Sequence, residues 1–202
     1  SGPHPPRPVL MEHYQCAWTL ESSGVDALPT GPWVGHHFEE CTFDGLDLTG
    51  LDLRNTRFEN CTFRKCTLAD VRLTGVRLHG VRFEHCTLPS LRWSTLDTLV
   101  LDFTLVDCRA PMGDWGEMDL QGIQFKASDL SGGNFFKTDA RKTEWTDCRL
   151  RDVVFDRTDL RDADFRGATD WIIDPAENRL HGARFDANDL TGLVQSLGIQ
   201  LD

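Results

Sequence analysis

Large apolar residues recur every five positions along most of the chain. From Phe38 the series runs Phe38, Phe43, Leu48, Leu53, Phe58, Phe63, Leu68, Leu73, Leu78, Phe83, Leu88 and Trp93 without a miss. It then slips by two residues, resumes at Val100 and continues through Leu105, Ala110, Trp115, Leu120, Phe125, Leu130, Phe135, Ala140, Trp145, Leu150, Phe155, Leu160 and Phe165. Leu, Val, Phe and Trp make up 54 of 202 residues, so about 7 of these 26 positions would carry them by chance, against 24 that do. A second set, small or β-branched, stands two residues before each centre and includes Cys61, Cys66, Val76, Cys86, Ser128, Thr138, Thr143, Cys148, Thr158 and Ala163. The residues between are mostly polar or glycine. A period of five matches neither the 3.6 of a helix nor the 2 of a strand. It predicts a solenoid with four five-residue sides, in which each centre points inward and stacks on the residue twenty positions away. Phe125 and Leu160 are then buried centres.

Departures from the period divide the chain. Residues 1–10, SGPHPPRPVL, are proline-rich, and residues 1–15 read as a flexible N-terminal arm. A first solenoid segment spans 16–93; it traces back through Cys16, Trp18, Leu28 and Trp33, but Ser23 interrupts the centre column, which predicts an irregular first coil. The two extra residues place a register break or loop at 94–99, because an insertion into a stacked ladder must bulge outward. A second solenoid segment covers 100–170, and 171–202 form a capping segment with a helix and tail. The irregular stretch TDWIIDPAEN is followed by one partial repeat around Phe185. From Asp186 a helix is expected, with Leu190, Leu193, Val194 and Leu197 at i, i+3, i+4, i+7 spacing, Gly198 as its stop, and Ile199 and Leu201 in a terminal strand.

The repeats ThrAspLeuArgAsp at 158–162 and AlaAspPheArgGly at 163–167 resemble the pentapeptide-repeat family and its A(D/N)LXX consensus, a likeness that extends over roughly residues 16–190. Leu46, Leu51, Leu91, Phe103, Met118 and Ile123 depart from it, being bulky where the consensus is small. The resemblance implies an all-β fold, a right-handed quadrilateral β-helix with a short C-terminal α-helix. Within the family the chain is most similar to the gyrase-protecting branch, through its length, its mid-chain break and the tail DLTGLVQSLGIQLD. That likeness implies a DNA-mimicking protein that binds DNA gyrase or topoisomerase IV and protects it from poisons, conferring antibiotic resistance or self-immunity. It also implies a homodimer joined at the C-termini through Leu190, Leu193, Val194, Leu197, Ile199 and Leu201.

Charge sharpens this reading. The formal net charge is -11, which argues against direct nucleic-acid binding through a basic surface. The net charges of residues 1–35, 36–95, 96–170 and 171–202 are -2, 0, -6 and -3, so the surplus lies mainly after the break. In the square-coil arrangement Asp119, Asp139 and Asp159 share one column, Glu144 and Asp164 a neighbouring one, and Asp107 and Asp147 lie close by; these seven form the candidate gyrase-facing surface. Coils lie about 4.8 Å apart whereas duplex DNA carries a charge per roughly 1.7 Å, so several columns are needed to match its density. The break residues Thr95, Leu96, Asp97, Thr98 and Leu99 are a candidate loop contact. A rigid scaffold for an unrelated partner, with acids serving solubility, is the alternative.

Candidate chemistry is sparse. Seven cysteines without a CxxC pair fit a reduced, cytoplasmic chain better than a disulfide framework, and their slot before a centre marks them as compact core residues. His36 and His37 read as a solvated pair. Nothing resembles GxSxG, HExxH or a phosphate-binding glycine loop, so no catalytic, cofactor or metal site is expected. No apolar stretch approaches the roughly 20 residues of a membrane-spanning helix.

Overall fold

The structure is a computed structural model that describes residues 13–15, 19–21 and 31–199. It is a parallel β-solenoid with a short helix near the C-terminus. Strands β1 (His13–Gln15), β3 (His37–Glu39), β5 (Arg57–Glu59) and β7 (Arg77–His79) pair in that order along one face. Strands β2 (Thr19–Glu21), β4 (Thr42–Asp44), β6 (Thr62–Arg64), β8 (Val81–Glu84), β9 (Phe103–Val106) and β10 (Gln124–Lys126) pair along another. The remaining faces are held by single parallel bridges, such as Asp47 to Thr67 and Asp114 to Asn134. Most pairings join residues twenty apart, as Phe43 with Phe63 and Asp139 with Asp159, which fixes four sides of five residues per coil.

The sequence pattern explains the interior. Centres stack as aromatic columns: Phe43, Phe63 and Phe83 at 4.6 and 5.0 Å, and Phe125, Trp145, Phe165 and Phe185 at 4.8, 5.7 and 5.1 Å between ring centroids. Phe125 and Leu160 are both buried, as the period requires. The slot two residues earlier is satisfied by hydrogen bonding as well as by size. Thr138 Oγ1 donates to the Trp115 carbonyl at 2.9 Å and Thr158 Oγ1 to that of Phe135 at 2.7 Å, each 23 residues back. The thiols of Cys61, Cys66, Cys86, Cys108 and Cys148 reach carbonyls of the preceding coil in the same way, at 3.3–3.4 Å. The consensus-breaking Leu46, Leu91, Phe103, Met118 and Ile123 are nevertheless buried in this slot.

Corners explain the polar half of the repeat. The residue two after a centre takes a left-handed backbone, with Asn55 at φ 59° and Gly75 directly above it at φ 71°. Gly and Asn accept this conformation at little cost. A Cβ on Gly75 would lie 2.4 Å from Asn55 Oδ1, so the corner columns are also tight. The aspartate before a centre braces the corner: Asp47, Asp119 and Asp129 accept the backbone N–H two residues on at 3.0–3.1 Å. Such Asx bonds organise turns locally.

The ends and the break differ from the expected boundaries. Residues 13–15 already form β1, so the solenoid begins inside the expected 1–15 arm; Cys16, Trp18, Ser23, Leu28 and residues 1–12 lie outside the described residues. The first coil is irregular, with offsets of 24 between β1 and β3 and 23 between β2 and β4. At the break, Trp93 and Leu96 still occupy buried slots, and Thr95 still accepts from Gly75 N at 2.9 Å. Asp97 N donates to the Val76 carbonyl, but the next ladder bond comes from Asp102 N to Leu78 O, and beyond it Phe83 pairs with Leu105, a 22-residue offset. The extra residues therefore bulge at 98–101 rather than across 94–99. Val100, expected as a centre, is 51% exposed instead.

Cys41 is disulfide-bonded, which corrects the expectation of a wholly reduced set of cysteines. Cys61, Cys66, Cys86, Cys108 and Cys148 are free and buried. Burial pushes the Cys61 thiol up to about 11 and the Cys148 thiol to about 12. All five are sealed from solvent, and in Cys61 and Cys148 the reactive thiolate is further disfavoured, so the five are expected to ignore a disulfide reagent at pH 8 in the native protein and to react fully in denaturant. Fast native labelling of any of them would mean that the slot opens.

Candidate protein-binding surface

The structure brings the predicted acidic columns together but does not leave them bare. Asp119, Asp139 and Asp159 bridge in sequence along one face, and Gln124, Glu144 and Asp164 along the next. Asp139 is gripped by Arg141, whose Nε and Nη2 donate to its two oxygens at 2.8 and 2.6 Å. Asp159 is gripped identically by Arg161, and Asp164 by Arg166 at 2.9 and 2.6 Å. The arginine hydrogen bond is the main reason that all three carboxyls are held below the usual carboxylate range. Arg179 and Arg184 of the next coil add longer contacts to Asp159 and Asp164, at 3.6 and 4.0 Å.

The remaining acids divide. Glu144 faces Lys126 at 3.8 Å, and Asp107 accepts from or pairs with His85 Nδ1 at 2.7 Å. Asp119 and Asp147 have no ion pair among the described residues, Asp119 being exposed and bonded only to Gln121 N. The face is therefore a striped one, an acid column beside a base column, with bare acids at Asp119 and Asp147. The signal was present in the sequence as Asp-X-Arg at 139–141, 159–161 and 164–166: residues two apart on an extended segment point the same way, so these pairs meet. Exposed pairs of this kind contribute little to stability, but they cancel local potential.

The bulge forms a preformed projection. Leu99 is 80% exposed, and its backbone N–H is held by Asp97 Oδ1 at 3.1 Å while Arg77 Nε clamps Asp97 Oδ2 at 2.6 Å. Thr98 is exposed beside it. Of the five loop candidates, Thr95 and Leu96 belong to the regular coil, and Asp97 is the anchor of the other two.

At the far end, helix α1 (Thr191–Ser196) is shorter than expected. Leu193 packs against the core, Val194 is half-buried, and Leu190, Leu197 and Ile199 are exposed; Leu201 lies outside the described residues. The helix docks through Gly192, where a Cβ would lie 2.0 Å from the Trp171 carbonyl oxygen and 2.5 Å from its ring. Gly192→Ala is expected to undock α1 while sparing the coils. Protease sensitivity confined to residues beyond 186, with an unchanged β-type circular dichroism spectrum, is the predicted readout. Among the described residues no helix is long and apolar enough to cross a membrane.

A stack of parallel coils with a five-residue side, an apolar centre and an Asx-braced corner defines a class of solenoid proteins. The chain belongs to the pentapeptide-repeat family: models of the pentapeptide repeat region and of pentapeptide repeats match residues 36–112 and 134–169. Among solved structures it is similar to a trypsin-treated form of QnrB1, a plasmid-mediated fluoroquinolone resistance protein, at 15% identity over 95% of this chain and 100% of that one, with a TM-score of 0.40. Full-length QnrB1 gives 13% identity, coverage of 94% and 98%, and a TM-score of 0.35. HetL, a pentapeptide repeat protein involved in heterocyst differentiation regulation in the cyanobacterium Nostoc, gives 14% identity, coverage of 73% and 84%, and a TM-score of 0.34. No curated protein sequence matches the chain.

Proposed function

We propose that this protein is a non-enzymatic rod that binds a type II topoisomerase, chiefly DNA gyrase, or topoisomerase IV, where duplex DNA would lie, and protects it from poisons in the cytoplasm. The target comes from the sequence resemblance of repeats and tail. The observation that carries the mechanism is the stiff in-register ladder from Phe103 to Arg184, which holds most of the -6 surplus of residues 96–170 at fixed spacing. A rod with fixed carboxylates complements a basic saddle and offers no phosphodiester to cleave. Leu99 and Thr98 on the anchored bulge supply a second contact. Two copies joined through the exposed Leu190, Leu197 and Ile199 would place the acidic halves at the middle of a longer rod.

A supercoiling assay with purified gyrase and a cleavage-stabilising poison tests the reading. Added protein should reduce poison-induced linear DNA at concentrations that leave supercoiling measurable. Unchanged cleavage at saturating protein would exclude protection.

A scaffold for a different protein is the second reading, and the Arg141, Arg161 and Arg166 clamps favour it, because they remove charge from the columns that mimicry would use.

A further inference from the structure

The irregular segment 171–178 does more than end the solenoid. Trp171 and Ile173 are buried, and Asp174 then closes a turn, its Oδ1 accepting from Ala176 N at 2.8 Å and its carbonyl from Asn178 N at 3.1 Å. Buried Asn178 stands in for the next coil: it accepts from Thr158 N at 2.9 Å and donates to the Phe155 carbonyl at 3.0 Å. The turn is thereby pinned as a wall beside a corner of the solenoid, and it bounds an open groove of about 620 Å³. Lys137, Arg157 and Arg179 line this groove with Asp139, Asp159 and Glu177.

The carboxylates and the cations of the groove are committed to different degrees. Asp139 and Asp159 each give both oxygens to Arg141 and Arg161, which lie outside the lining. The lining cations are held loosely. Lys137 has only Glu117 at 4.0 Å, Arg157 makes one contact to Asp156 at 3.3 Å, and Arg179 approaches Asp159 at 3.6 Å. Arg157 also lies 4.6 Å over the Phe136 ring, with Lys137 at 4.9 Å, so the ring braces both head groups. Glu177 has no ion pair among the described residues and is the one uncommitted acid of the lining. Lys137 and Arg157 occupy the same corner column on successive coils, about 4.8 Å apart. Three cations with unspent N–H donors thus line one groove on a protein that is otherwise acidic.

We propose that this groove binds a phosphoryl oxyanion, with Lys137 and Arg157 as a two-point clamp and Arg179, on the next coil and bridged to Asp159, as the third cation. A planar carboxylate satisfies one guanidinium fork, whereas three separated cations call for a group with at least three acceptor oxygens sharing the charge. The proposal stands apart from the topoisomerase reading and requires no second copy of the chain.

The test is calorimetric titration of the full chain with inorganic phosphate, and separately with acetate, in chloride buffer at low ionic strength. Phosphate is expected to bind saturably, and acetate at least about tenfold more weakly. Lys137→Asn combined with Arg157→Asn keeps residues suited to these left-handed corners, as Asn55 and Asn60 already are, and should weaken phosphate binding by about tenfold or more. Lys142→Asn, at a corner without an ion pair among the described residues, should leave it unchanged. No saturable phosphate binding, equal binding of acetate, or equal losses in the corner pair and in Lys142→Asn would each overturn the proposal.

Discussion

Phe125→Asp abolishes cooperative folding of the second half of the solenoid, whereas Thr146→Asp, on the outer surface of the next coil, leaves the thermal midpoint within a few degrees. Phe125 is fully buried, stacks on Trp145 at 4.8 Å and meets Trp115 edge-on at 5.4 Å. Removing a buried Phe side chain costs about 3–5 kcal/mol. Burying an unpaired carboxylate adds several more, comparable with the whole stability of an ordinary domain, about 5–15 kcal/mol. Because each coil contacts only its neighbours, the loss propagates along the stack. The check is thermal unfolding followed by circular dichroism, with limited proteolysis to locate the released region. Equal tolerance of both substitutions would contradict the five-residue register.

That register was legible because it is a statistical property of the chain: 25 of the 26 periodic positions are buried centres, and the one exception, Val100, does not outvote them. The bulge lies a few residues later than the expected 94–99, because the centre column alone cannot say on which side the frame slips. Leu96 continues the first frame and Leu105 the second, and only the ladder from Asp97 and Asp102 shows that 98–101 loop out. The twenty-residue repeat stacks Asp119, Asp139 and Asp159 in one column and Glu144 with Asp164 in the next, but it does not report what lies beside them. Counting acids by segment ignores the arginine two residues along, and Asp139 with Arg141 behaves as a dipole rather than as a free carboxylate. Nor could the period reveal that aspartates such as Asp119 brace corners, so that a residue type abundant for structural reasons resembles one selected for binding. The 171–178 wall was visible only as a loss of pattern, and its groove follows from Asn178 replacing a coil.

The second large effect concerns those dipoles. Reversing Asp119, Asp139 and Asp159 to Lys changes the net charge from -11 to -5, by replacing three negative charges with three positive ones on one face, and is expected to weaken gyrase binding by at least about tenfold at low salt. The side chains flank buried centres, so the coils should persist, but with a lowered thermal midpoint, because the corner bonds from Gln121, Arg141 and Arg161 N are lost along with the ion pairs of Arg141 and Arg161. The converse variant is the sharper one. Arg141→Gln with Arg161→Gln bares Asp139 and Asp159 and takes the net charge to -13, so mimicry predicts tighter binding, whereas a scaffold that recognises the striped face predicts weaker binding. Both effects should shrink as salt rises, because exposed charges are screened over about 8 Å at physiological ionic strength. Surface-immobilised gyrase and soluble variants at two salt concentrations provide the measurement. Tighter binding by the triple reversal would remove the acidic face from the account.

The central claim is that the rod occupies the place of duplex DNA, and competition tests it most directly. Labelled protein bound to gyrase is titrated with unlabelled linear duplex, and bound label is read by fluorescence anisotropy. The account predicts full displacement, with an apparent midpoint that rises in proportion to the protein already bound. A stable complex of gyrase, DNA and this protein together, with the label retained at saturating duplex, would contradict it.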